Sequence, residues 1–184
     1  TVCGIKVFMG ASTGNMLVDD PEALEKIFSS SESLIAVHCE DEGTIQKNIH
    51  HYRKMYGEDL PVEYHPLIRS REACYKSSSY AVELARKFGT RLHLLHLSTS
   101  DELELLDNSV ALTDKRITAE ACVHHLWFCD QDYSSYGSRI KWNPAIKTSK
   151  DREALFNGVL IDLIDIVATD HAPHTIEEKN NSYF

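Results

Sequence analysis

The chain has 184 residues, 42% of them hydrophobic, which is the size of one globular domain with enough apolar material for a core. Its 28 acidic and 19 basic residues leave a net charge of −9 without a Lys/Arg-rich run, which argues against a nucleic-acid or anionic-membrane partner. The five cysteines are an odd number without CxxC spacing, so they indicate neither a disulfide framework nor a zinc ribbon. We expect them to be packing residues in a reducing, cytoplasmic protein.

Five short runs rich in apolar and β-branched residues recur along the chain. They are CGIKVFMG (3–10), SLIAVHCE (33–40), TRLHLLHLS (90–98), KRITAEACVHHL (115–126) and LIDIVATDH (163–171). Their hydrophobicity is continuous rather than alternating, which is typical of strands that are covered on both faces in a parallel sheet.

Helical patterns separate these predicted strands. Asp20 and Pro21 have the residue types of an N-cap and a first helical position. An apolar face between 73 and 88 stops at a glycine, and a capping box at 148–151 precedes another helical segment. In the polar segment 41–66 we expect a helix in the first half and a loop in the second. The alternation of strands and helices predicts an α/β fold with a parallel sheet.

Polar side chains lie at the ends of the predicted strands. His38 ends the second strand, His96 the third, His124 and His125 the fourth, and Asp170 the fifth. The carboxyl ends of parallel strands form one edge, where the active sites of α/β barrels and open sheets lie. Imidazoles and a carboxylate from separate strands can bind Zn²⁺ or a similar divalent ion. A single histidine is more often structural, and it is the recurrence that favours a metal site.

Lys6 is an unusual residue for the interior of a buried strand, because an unpaired ammonium there is costly. One interpretation is a lysine that reaches the rim or pairs with a carboxylate. The other is a lysine amine carboxylated by CO₂, which becomes an anion able to bridge two metal ions.

Several segments resemble the dihydroorotases and the related hydantoinases and allantoinases of the amidohydrolase superfamily. The stretch ATDHAPHTIEEK (168–179) matches a sequence signature of the dihydroorotases, and GIKVFMG resembles the strand that bears their carboxylated lysine. AVHCED and LLHLST resemble the metal-histidine strands, and AEACVHHLWF and KWNPAIK resemble the segments that follow. DHAPH is specific to the dihydroorotases, whereas the other segments are shared with hydantoinases and allantoinases.

The resemblance implies a partial TIM (β/α)₈ barrel of the metal-dependent amidohydrolase type, comprising about strands 4 to 8. It implies two Zn²⁺ ions bridged by a carboxylated Lys6, with His38 and His96 as further ligands. Asp170 is implied to be both a metal ligand and the general acid/base.

Other residues take supporting roles in this interpretation. Asn143 and His174 look like substrate-binding positions for the carboxylate and ring of dihydroorotate, although some relatives have arginine in place of Asn143. The pair His124 and His125 is expected to be structural or to support the metal ligands. His93 is expected to point to the face of its strand opposite to His96. Three further histidines are expected to be solvated, namely His50, His51 and His65.

For the full-length parent, the resemblance implies reversible zinc-dependent hydrolysis and cyclisation of dihydroorotate and N-carbamoyl-L-aspartate in de novo pyrimidine biosynthesis. The metal ions would supply the nucleophile and the Lewis acid. Two alternatives stay open: a hydantoinase- or allantoinase-type cyclic amidase, and a metal-free, non-catalytic homologue. We expect a small-molecule substrate and leave a homodimer open.

The first metal motif of the family, His-x-His, does not occur in these 184 residues. A complete barrel of this kind needs ~250 residues. We therefore expect residues 1–184 to be part of one hydrolase barrel domain whose first strands and C-terminal part are missing. Such a fragment should be inactive alone, because it lacks metal ligands and leaves strand edges unpaired.

Overall fold

The computed structural model describes residues 2–10 and 15–183. Within these ranges, five strands form one parallel sheet in the order β1-β2-β3-β4-β5. The strands are β1 Gly4–Phe8, β2 Leu34–His38, β3 Leu92–Leu94, β4 Ile117–Cys122 and β5 Ile166–Ala168. Each strand lies beside its predecessor in the chain, as in a (β/α)₈ barrel and unlike a doubly wound sheet, whose strand order reverses. The predicted α/β fold is confirmed.

Eight α-helices accompany the sheet within the described ranges. They are α1 Pro21–Ser30, α2 Glu42–Tyr56, α3 His65–Ile68, α4 Arg71–Phe88, α5 Val123–Trp127, α6 Tyr133–Tyr136, α7 Ser149–Leu160 and α8 Ile176–Lys179. The residues predicted to begin and end helices do so in the structure. The Asp20 side chain accepts a hydrogen bond from the Ala23 N–H at 2.8 Å, and Gly89 ends α4 in the left-handed conformation with φ of 65°. Thr148 and Asp151 form the capping box of α7.

The two faces of the sheet differ in character. One row of residues in register across β1 to β4 is buried against the helices and consists of Val7, Val37, Leu94 and Ala119. The row one residue earlier on each strand lies on the opposite face, because side chains alternate along a strand. That second row consists of Lys6, Ala36, His93 and Thr118. The apolar core therefore lies between sheet and helices, and the polar residues are on the other face.

The segment 41–66 is more ordered than expected. Its first half is α2, as predicted, but its second half contains a 3₁₀ turn at Val62–Tyr64, and α3 begins at His65. His65 is buried, with Nε2 2.6 Å from the carbonyl oxygen of Trp142 and Nδ1 2.7 Å from the hydroxyl of Tyr183. Burial lowers the pKa of His65 to about 3, so the ring is neutral. The expectation of a solvated side chain is wrong for His65, and it holds for the exposed His50 and His51.

The cysteines are all free, and four of the five are buried. Cys3 is exposed just before the edge strand β1, so the expectation that it packs is wrong. Among the described residues, no helix combines the length and apolar character needed to cross a membrane.

We expect Gly10→Ala to destabilise the protein, because a Cβ there would overlap the backbone carbonyl of Glu40. The strand-end segment that carries this carbonyl would have to move, and overpacking of this kind costs about 1–3 kcal/mol. The check is chemical unfolding of the full-length protein. Gly43→Ala in α2 is the control, since its nearest neighbouring atom would be 3.6 Å away. Equal stabilities of the two variants would contradict the close approach at Gly10.

Candidate functional site

Two predicted metal ligands, His38 and His96, lie side by side. His38 is the last residue of β2, and His96 follows the end of β3 by two residues. His38 Nδ1 is 2.9 Å from His96 Nε2, and both side chains are buried. His96 has a φ of 38°, a left-handed conformation that is uncommon outside glycine and costs about 1–3 kcal/mol. The backbone is therefore strained at His96, the residue whose ring contacts His38.

A buried carboxylate fixes the orientation of His38. Glu40 Oε2 lies 2.9 Å from His38 Nε2 and 2.5 Å from Arg69 Nη1. Burial alone would raise the pKa of Glu40, but Arg69 and the hydrogen bond from His38 lower it to about 2. An ionised carboxylate only accepts, so His38 Nε2 donates its proton to Glu40. In the neutral imidazole, His38 Nδ1 then carries the lone pair, and this nitrogen faces His96.

His96 has an unsatisfied nitrogen. Its Nδ1 is buried and has no hydrogen-bond partner among the residues that the structure describes. Burial, with smaller contributions from His38 and His125, lowers the pKa of His96 well below its usual range. The ring is therefore neutral, which is the protonation state of a metal-binding imidazole.

The histidine pair fits a divalent metal ion. Two nitrogen ligands at about 2.0–2.1 Å from a tetrahedral Zn²⁺ lie about 3.3 Å apart. The separation of 2.9 Å between His38 Nδ1 and His96 Nε2 is close to this value. A carboxylate on the remote nitrogen, as Glu40 provides, is the usual partner of metal-binding histidines. The donor set and its support therefore fit a divalent metal ion.

Lys6 lies in β1 as predicted, but its side chain is exposed. Its Nζ is 4.6 Å from the centroid of the Phe8 ring and makes no hydrogen bond or ion pair within the described ranges. The burial expected for Lys6 is not found, because β1 is an edge strand of the described sheet. Lys6 pairs in register with Ala36, two residues before His38, so both polar side chains belong to the same face.

A second group of predicted site residues shares one pocket. Asn143, Asp170 and His174 line a cavity of 210 Å³, together with Lys141 and Lys179 among other residues. Asp170 follows β5 by two residues and has a φ of 42°, which repeats the left-handed conformation of His96 after β3. These predicted residues are exposed, unlike the histidine pair. Within the described part of the chain, no hydrogen bond or ion pair joins the two groups.

His124 and His125 do not end a strand. β4 stops at Cys122, and both histidines lie in α5, which begins at Val123. His124 stacks on Trp142 with ring centroids 4.3 Å apart and an interplanar angle of 17°. The predicted position of this strand end was wrong. The apolar run continues through the turn from strand to helix, and no Gly or Pro marks the boundary.

His93 lies on the same face as His38, against which His96 packs, so the prediction that His93 points to the face opposite to His96 is wrong. It is in register with Ala36, and its Nε2 is 3.2 Å from Glu120 Oε2. The other oxygen of Glu120 accepts the backbone N–H of His96 at 3.3 Å. The strand ends at Leu94, so alternation does not extend to His96.

Sequence reasoning missed the residues that hold the histidines in position, namely Glu40, Arg69 and Glu120. Glu40 and Glu120 have a local signal, since each is an acidic residue in an apolar strand-end segment. Arg69 has none, because it reaches Glu40 from a different part of the chain, just after α3.

Known proteins resemble this chain in sequence and in structure. No family model matches the chain. A dihydroorotase of Anoxybacillus flavithermus is 34% identical over 163 residues, which cover 86% of this chain and 36% of the relative. The structure of L-hydantoinase from Arthrobacter aurescens superposes with a TM-score of 0.85 and 25% identity, over 96% of this chain and 40% of that one. That of dihydroorotase from Saccharomyces cerevisiae, in complex with 5-fluoroorotic acid, gives a TM-score of 0.73 at 20% identity, over 98% and 48% of the two chains.

The chain has the partial-barrel fold of the cyclic amidohydrolases, the class to which hydantoinases and dihydroorotases belong. Within this class, the curated relatives to which its sequence is similar over most of its own length are dihydroorotases. It spans 36% to 38% of the length of these curated relatives.

We expect Arg69→Met to destabilise the protein strongly, because it leaves the buried Glu40 carboxylate without its cation. Breaking a buried ion pair by removing one partner costs about 3–5 kcal/mol. The measurement is chemical unfolding of the full-length protein. Arg53→Met is the control, since the Arg53–Glu58 pair is exposed and such pairs contribute less than ~1 kcal/mol. Similar losses in both variants would refute the special role of the buried pair.

Proposed function

We propose that the protein containing this chain is a dihydroorotase, which catalyses the reversible conversion of dihydroorotate and N-carbamoyl-L-aspartate in pyrimidine biosynthesis. The observation that carries the proposal is the pocket shared by Asn143, Asp170 and His174, two of which belong to the DHAPH segment. The sequence similarity to curated dihydroorotases supports it. A cytoplasmic location and a homodimeric assembly are part of the same proposal.

The charge of the pocket supports an anionic substrate. Lys141 and Lys179 line it beside His174, although the chain as a whole has a net charge of −9. Lys179 Nζ is held 3.0 Å from the carbonyl oxygen of Lys141, and Lys141 Nζ 2.7 Å from that of Tyr183. Fixed cations of this kind suit the carboxylate of dihydroorotate, which unsubstituted hydantoin lacks.

For the metal centre we propose two Zn²⁺ ions, bridged by a carboxylated Lys6 and bound by His38, His96 and Asp170. When bound, the metal ions would supply the nucleophile and the Lewis acid. The support is the position of His38, whose Nε2 is bound by Glu40 and whose Nδ1 faces His96 Nε2.

The protein side chains would divide the remaining work. Asp170 would transfer a proton to the ring nitrogen as the amide bond opens, and take it back in the cyclisation. Asn143 and His174 would bind the carboxylate and ring of the substrate. Proton transfer and substrate binding would thus be carried out by different side chains.

A hydantoinase-type activity is the second candidate, because the Arthrobacter aurescens L-hydantoinase has the same fold at a TM-score of 0.85. Turnover of hydantoin or allantoin without turnover of dihydroorotate would favour it. A metal-free homologue is the third candidate, and metal analysis of the full-length protein distinguishes it.

We expect Asp170→Asn to lower kcat by about 10²-fold or more, because an amide cannot transfer the proton in the transition state. Steady-state kinetics in both reaction directions measure the effect. Metal content must be determined for each variant, so that loss of zinc is not mistaken for loss of proton transfer. A variant with its metals and near-normal turnover would overturn the role of Asp170.

His174→Ala is expected to act mainly by raising KM, because the anionic end of the substrate is present in the ground state and the transition state alike. Some loss of kcat can accompany reorientation of the substrate. A large fall in kcat at unchanged KM would show instead that His174 acts on the reacting bond.

We expect a crystal structure of the full-length enzyme to show added density on Lys6 Nζ that joins two metal ions. Lys6→Met should then lose metal, measured by elemental analysis, because the bridging ligand is absent. Lys26→Met is the control, since Lys26 is exposed on α1. An unmodified Lys6 paired with an acidic side chain, with metals bound, would contradict the proposal.

A further inference from the structure

Three of four successive residues bring metal-binding side chains together where β4 turns into α5. One ligand atom from each of Cys122, His124 and His125 lies within 4.8 Å of the other two, and all three residues are buried. The ring centroids of the two histidines are 4.3 Å apart. A thiolate and two imidazoles form a ligand set that Zn²⁺ and similar thiophilic ions prefer.

His125 is held in the tautomer that a metal requires. Its Nε2 is 3.0 Å from the carbonyl oxygen of Pro144, and a carbonyl only accepts, so Nε2 carries the proton. His125 Nδ1 therefore has a free lone pair. That nitrogen is buried and has no hydrogen-bond partner among the described residues. A bound metal would supply the missing partner, and a histidine anchored by a backbone carbonyl is the usual form of a metal ligand.

The side chains of Cys122 and His124 are also available to bind a metal ion. Within the described ranges, neither the Cys122 thiol nor the His124 ring makes a hydrogen bond, and stacking on Trp142 fixes the plane of His124. His124 also lines a cavity of 600 Å³ that Asp170 borders. A metal ion bound by these three ligands would have a fourth coordination position for water or another ligand, and the cavity beside His124 offers a route to it.

We propose that Cys122, His124 and His125 form an additional metal site for Zn²⁺ or a similarly thiophilic divalent ion. None of the three residues is among the proposed catalytic ligands, and the proposal does not depend on the function proposed above. Ligands on a tetrahedral zinc ion lie about 3.3–3.6 Å apart, so the three side chains close slightly around the ion. The thiol loses its proton when the metal binds.

The test is a titration of the metal-free, full-length protein with Co²⁺, followed by absorption spectroscopy. A cysteine ligand gives a thiolate-to-cobalt charge-transfer band in the near ultraviolet, which histidine and carboxylate ligands do not give. We expect this band in the wild-type protein and its loss in Cys122→Ser. His125→Gln should weaken binding of this ion by about tenfold or more, because glutamine keeps a donor for Pro144 and removes the ring nitrogen that binds the metal.

Two control variants distinguish this metal site from other cysteines and from the proposed catalytic metal ligands. Cys129→Ser removes another buried cysteine and should keep the band, and His38→Asn removes a proposed catalytic ligand and should keep it as well. Circular dichroism checks that each variant is folded, and His125→Gln serves as the test if Cys122→Ser does not fold. Absence of the band in the wild-type protein, its persistence in Cys122→Ser, or its loss in Cys129→Ser would overturn the proposal.

Discussion

The fixed register of the parallel strands decides which side chains of this chain can meet. Lys6, Ala36, His93 and Thr118 are aligned across β1 to β4, and the next residue of each strand is aligned in the core. A shift of one residue in any strand would move its polar side chains into the core and its apolar ones out. Core packing and the position of the polar groups are therefore set by the same pairing. The site cannot change its geometry without a cost in core burial.

Glu40 shows how the buried part of the site is stabilised. Taking a carboxylate out of water is costly, and a buried ion pair often contributes little net stability compared with an apolar core. The Glu40–Arg69 pair is therefore better explained by what it positions than by what it adds to folding. By accepting from His38 Nε2, Glu40 selects one tautomer and leaves the other nitrogen free. A neutral side chain in its place would accept this bond less strongly.

The sequence predicted the parts of the structure that depend on local physics. Capping at Asp20 and the stop at Gly89 involve neighbours a few residues away, and both are confirmed. The alternation of strands and helices and the DHAPH segment were also readable, because they depend on periodicity and on residue types at fixed spacing. The partnership of Glu40 with Arg69 was not, since it joins residues 29 positions apart through the tertiary fold. The burial of His65 escaped for the same reason, because its partner Tyr183 lies 118 residues away.

The wrong predictions of side-chain direction near the ends of strands have a different cause. The alternation rule holds only while the chain is extended, and β3 ends at Leu94 before the backbone takes a left-handed turn at His96. Asp170 takes the same conformation two residues after β5. In both cases the strand delivers the chain to the polar edge, and a strained residue then redirects the side chain, which sequence periodicity does not encode. Residues held in such conformations need neighbours that fix them. His96 has these in His38 and Glu120, so its ring is held before any ligand binds.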